Sequence, residues 1–142
     1  MKTSTAIAAL VWSVGCLAAP DKLAYELQER CGKQVSTEFK REFGTGIEKT
    51  KSGTTITGYR NHFNAKLNAC MYLQTSTGFT KVPGKKAAGF NMQRLFDFNE
   101  NREIGSYFKQ DEDARPFECS VSGKICGSKD EWEVLIKPYM EE

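Results

Sequence analysis

Four cysteines constrain this chain more than any other feature. Cys31, Cys70, Cys119 and Cys126 follow a leader-like start, and an even cysteine count in an exported chain points to disulfides rather than to thiol or metal chemistry. Three pairings are open. The favoured one is the most local: Cys119 and Cys126 flank SVSGKI, whose Ser and Gly let the backbone double back, which leaves Cys31 for Cys70. By chain entropy the longer loop is worth roughly 4 kcal/mol and the short ring roughly 2 to 3 kcal/mol, together comparable with the stability of a small domain. A zinc site is disfavoured, because no CxxC pair is present and His62 is the only histidine. No metal and no cofactor is expected.

The leader reads as Lys2, an apolar run AIAALVW and then small residues, the layout of a secretory signal. Its apolar run is far below the roughly 20 residues that cross a bilayer, so no membrane span is expected. Cleavage after Ala18 puts Cys16 and Ala18 at the two small-residue positions and divides the chain into a signal peptide, 1–18, and a single domain, 19–142. A rival reading makes Cys16 the lipid-bearing first residue of a lipoprotein, with Ser13 standing where such signals usually have Leu. Once Lys2 is removed, nineteen basic residues face eighteen acidic ones. That balance excludes an ordinary nucleic-acid binder, and about 120 residues make one domain with one core. The location expected is exported, either periplasmic or secreted.

Between Asp21 and Phe43, Leu23, Leu27, Cys31, Val35, Phe39 and Phe43 recur at strict four-residue steps among charged residues, which predicts an amphipathic helix capped by Asp21 and ended by Gly44. Two hairpins follow. Thr54 to His62 and Leu67 to Thr77 read as strands about a turn at Phe63 to Lys66, and Ala69, Met71 and Leu73 alternate with Cys70, Tyr72 and Gln74. Asn91 to Phe98 and Ile104 to Lys109 form the second pair about Asn99 to Asn101. The segment from Gly44 to Gly53 reads as a loop with room for a short strand near Ile47, and Thr80 to Gly89, with Lys81, Lys85 and Lys86, as a solvated loop. Ser128 and Glu131 make a capping box for a last helix with Trp132, Leu135 and Ile136 inward, which Pro138 should end or kink. The fold expected is α+β: an antiparallel sheet of about four strands packed by the first helix, the short C-terminal helix at an edge or on the same face, and two disulfides.

At YRNHFNAKLNAC the chain resembles a group of small, uncharacterised exported proteins of proteobacteria with a YxNHYNxKLNxC-like run in mid-chain. Tyr59, Asn61, His62, Asn64, Lys66, Leu67, Asn68 and Cys70 match the run, and Phe63 replaces a tyrosine. The likeness extends to ERCGKQ, to LFDFNENREIGSYF and to the paired cysteines before the C-terminal helix. It implies export and a shared fold, and no activity, so no catalytic residue is carried over.

The functional expectation is a non-enzymatic binding or accessory protein of the cell envelope, whose partner is an envelope protein or a small ligand. His62 with Asn61, Asn64 and Asn68 is the candidate ligand-binding cluster. The alternative is an enzyme with His62 as general base, helped by Asp97, Asp111 or Asp113 if folding brings one near. It lacks a nucleophile, since no GxSxG turn is present and the cysteines are expected to be oxidised. A further alternative is an inhibitor that presents the closed 119–126 loop, with Lys124 at its tip. A purely structural surface component would need neither site.

Overall fold

A computed structural model of the protein describes residues 22–81, 83–84 and 86–141. The expected leader with Cys16 and Ala18, Asp21 as the expected helix cap, and Lys85 lie outside the described residues. The four-residue stripe forms a helix, α1, over Lys22–Phe43. Cys31, Val35 and Phe39 are buried, Leu27 and Phe43 half-buried, and Leu23 exposed. A step of four overshoots a 3.6-residue turn by roughly 40°, so a stripe so spaced rotates off the sheet toward its ends. Gly44 closes the helix in the left-handed region at φ 58°, its N–H donating to the Lys40 carbonyl.

The sheet is antiparallel and has seven strands in chain order: β1 (Ile47–Thr50), β2 (Gly53–Asn64), β3 (Ala69–Thr80), β4 (Ala88–Asp97), β5 (Arg102–Gln110), β6 (Glu118–Val121) and β7 (Lys124–Ile125). This corrects the expected sheet of about four strands. The two long hairpins are as expected apart from their ends; the added strands are short, and each lacks a readable period. All four residues of β1 are exposed, so no apolar alternation marks it. Apart from Glu118, strands β6 and β7 lie inside the cysteine ring, where Ser122 at φ 48° and Gly123 at φ 79° make the two-residue turn with positive φ at both positions that suits a tight hairpin.

The second helix, α2 (Lys129–Met140), packs on the face of the sheet opposite α1, not at an edge or on the same face. Alternation along β3 is the reason. Ala69, Met71 and Leu73 belong to the core under α2, whereas Cys70 and Tyr72 belong to the core under α1 with Cys31 and Val35. A central strand apolar on both sides needs a cover on both. Trp132 and Ile136 are fully buried, Leu135 half-buried, and the Trp132 indole N–H donates to Gln93 Oε1 at 2.6 Å. At the start of α2 the Glu131 N–H donates to Ser128 Oγ at 3.2 Å, and the Glu131 carboxylate reaches past Ser128 to the Gly127 N–H. The helix runs on through Pro138 instead of ending there.

Both disulfides have the favoured pairing, Cys31 with Cys70 and Cys119 with Cys126, at Cα separations of 5.4 and 5.0 Å. The first fastens α1 to β3. The second closes the β6–β7 hairpin beneath α2, where both of its cysteines are buried.

Candidate functional site

The residues singled out around His62 are distributed over both faces of the sheet and the turn. Asn61 faces α1, its amide 3.8 Å from Cys31 Sγ. His62, next along the strand, faces the α2 side and is half-buried. Asn64 is fully buried: its Nδ2 donates to the Pro138 and Tyr139 carbonyls at 2.8 and 3.2 Å, and its Oδ1 accepts from the Leu67 N–H at 2.9 Å. Strand β2 therefore runs two residues further than expected, and the turn falls at 65–68 with an exposed Asn68 in the left-handed region at φ 49°. Asp97 lies in the same cross-strand row as His62 with Met71 between them, two strand spacings or about 10 Å away. Asp111 lies against Gly89 at the other end of the sheet, and Asp113 follows in the loop after β5. Most of YRNHFNAKLNAC serves the fold: Tyr59 packs on Phe39, Asn64 ties down the end of α2, Asn68 shapes the turn and Cys70 forms the long disulfide.

A cleft opens instead on the α1 face. Helix α1 packs on β2 and β3, and beside its last turns lies a cavity of about 410 Å³. Its floor is Tyr72 and Gln74 of β3 with Arg94 and Phe96 of β4; Phe98 closes one end, and Glu38 and Glu42 form the helical wall. Tyr72 stacks on Phe96 at 5.8 Å and meets Phe98 edge-on at 6.2 Å. The Arg94 guanidinium lies 4.9 Å from the Phe96 ring centre and donates through Nε to Glu103 at 2.9 Å. A second hollow of about 430 Å³ continues from Glu42 and Gln74 toward Phe43, Phe90 and Met92. The two make one groove beside α1, and in its floor the Ser76 and Thr57 hydroxyls share a hydrogen bond of 2.9 Å.

Tyr72 is the unusual member. It is 7% exposed, and its hydroxyl has no hydrogen-bond partner among the described residues. Burial, and after it the carboxylates of Glu42 and Glu38, pushes the phenol up to about 12. A buried hydroxyl without a partner costs about 1 to 3 kcal/mol of desolvation that nothing returns. Tyr72→Phe is therefore expected to leave stability unchanged or raise it by about 1 kcal/mol. The alkaline limb carries a second readout. A phenol that ionises near 10 when unfolded and near 12 when folded stabilises the fold fully below pH about 10 and loses that contribution as pH climbs toward 12. Denaturant midpoints measured across this range should fall more steeply in the wild type than in the Phe variant; parallel curves would show that the hydroxyl is not sequestered.

Of the residues lining the groove, the sequence singled out Asp97, and as a partner for His62, not for a site beside α1. The available signal was the change along β3 from apolar Cys70 and Tyr72 to polar Gln74 and Ser76 on one face, all four buried. Polar side chains buried in mid-strand mark where a helical cover gives way to something else. Comparison of the chain with protein-family models, with curated proteins and with solved structures finds no match in any of the three. Among the described residues no helix is long and apolar enough to cross a membrane, and the two disulfides are compatible with an oxidising compartment.

Proposed function

We propose that the protein is a non-enzymatic binding protein that acts outside the cytoplasm, exported to a periplasm or to the medium, with the groove beside α1 as its binding site. The observation that carries this reading is the unpartnered Tyr72 hydroxyl in the floor of a cavity large enough for a small ligand or a side chain. A ligand that meets the hydroxyl supplies the hydrogen bond the fold withholds. The reading is non-enzymatic because the hydroxyls in the groove floor, Thr57 and Ser76, bond to each other and have no histidine beside them to act as base, since His62 lies on the other face of the sheet. Binding by an envelope protein or by a free small molecule would use the same groove.

A second reading, presentation of the β6–β7 hairpin to a partner, is favoured by one observation: Ile125 is 87% exposed beside Lys124 on a hairpin fixed by its disulfide. Amide shift mapping with a library of small fragments separates the two. The expected result is a set of perturbed amides clustered at 72–76 and 94–98. Perturbations confined to 121–126, or to the strand around His62, would refute the groove as the site.

A further inference from the structure

We propose that the groove takes a cationic group, an ammonium or a guanidinium, with its apolar stem laid from Tyr72 toward Phe90. This rests on the groove being the binding site and adds the chemistry of what enters it. The first observation is charge. Glu38 is paired with Arg41, Asp97 faces Arg102 at 3.7 Å, and Arg94 is held by Glu103, so each of these rim charges already has its counter-charge. Glu42, which borders both halves of the groove, has no ion pair among the described residues. Its carboxylate lines the same cavity as Tyr72.

The second observation is the rings. Tyr72, Phe96 and Phe98 meet at centroid distances of 5.8 and 6.2 Å, and aromatic faces attract a cation through their quadrupoles. The protein already uses this attraction, since the Arg94 guanidinium lies over Phe96. The third is the orphaned hydroxyl, 7% exposed with its residue, whose oxygen can accept from an N–H of the ligand. Past Gln74 the groove presents Phe43, Phe90 and Met92 beside the Thr57 and Ser76 hydroxyls and Glu48, and a hydrocarbon stem can lie along the three apolar side chains.

The test uses the whole chain and three probes of one length: hexylammonium, hexanol and hexanoate. Saturable shifts of the Arg94 and Phe96 amides and of the Tyr72 ring are expected with hexylammonium, and Glu42→Gln should weaken its binding by about three- to tenfold. Glu42 is exposed, so the variant keeps the fold. If hexanol or hexanoate shifts the same resonances as strongly as hexylammonium, or if Glu42→Gln changes nothing, the cationic assignment is wrong and the groove stands as a site. If no probe moves these resonances, both fall. A fourth probe, a short extended peptide with a central arginine, identifies the source of the cation. Binding at least tenfold tighter than hexylammonium supports a partner protein's basic side chain, and equal or weaker binding supports a free amine; either outcome upholds the cationic assignment.

Discussion

Replacing Cys31 and Cys70 together by alanine is expected to cost about 4 kcal/mol, a large share of the roughly 5 to 15 kcal/mol that holds a folded domain together. The two residues are separated by 39 positions, and without the bond that whole loop is free in the unfolded chain. The bond also lies within the core under α1, between buried Val35 and buried Tyr72, so alanine removes packed sulfur as well as the link. Removing the Cys119–Cys126 bond, with a separation of 7, should cost less, about 2.5 kcal/mol by the same entropy. Urea denaturation of the two double variants checks the order. A larger loss for the short ring would mean that the bonds act through native packing and not through the unfolded chain. Because α1 is one wall of the groove, the Cys31/Cys70 variant should also bind more weakly whenever the helix loosens.

Asn64→Asp is expected to cost about 3 to 5 kcal/mol at neutral pH, more than Asn64→Ala. The asparagine amide donates to two carbonyls in the last turn of α2, just where Pro138 interrupts the helical ladder, and its oxygen holds the Leu67 N–H of the β2–β3 turn. Aspartate keeps the acceptor and loses the donor. It sets a carboxylate at a fully buried position against two carbonyl oxygens at the negative end of a helix dipole. That environment raises its pKa above the unfolded value near 3.9, so the variant is most stable below that value and loses stability as pH rises. Melts near pH 4 and near pH 7 should therefore differ much more for Asp than for Ala. An Asp variant that melted like the wild type at neutral pH would mean that the amide does not hold the helix end.

These positions also separate what could be read from the chain from what could not. The Cys119–Cys126 ring, the first helix, the two long hairpins and the cap of the last helix were legible because each depends on residues close in sequence, and the Cys31–Cys70 bond followed as the pair left over. A four-residue stripe, an alternating strand or a serine three residues before a glutamate states its own geometry. Of the short strands the sequence left room only for one near Ile47, where β1 lies; β1 is exposed along its whole length and β7 has only two residues, too few to carry a period. The role of Asn64 was not legible either. As sequence it belonged with Asn61, His62 and Asn68 in a polar cluster; in the fold its partners lie 74 and 75 residues away.

What the sequence determined by itself is the set of local elements and the cross-links between them. What only the tertiary structure decided is which face each helix covers, and hence where the covering stops. Tyr72, Arg94 and Glu42 lie on three elements with no sequence relation, and they share a groove because α1 covers β2 and β3 while α2 takes the opposite side. Side-chain alternation fixes two faces for every strand, but it does not say which helix will lie on either. That choice depends on burying both apolar sides of β3 at once, a condition met only when the whole sheet is assembled.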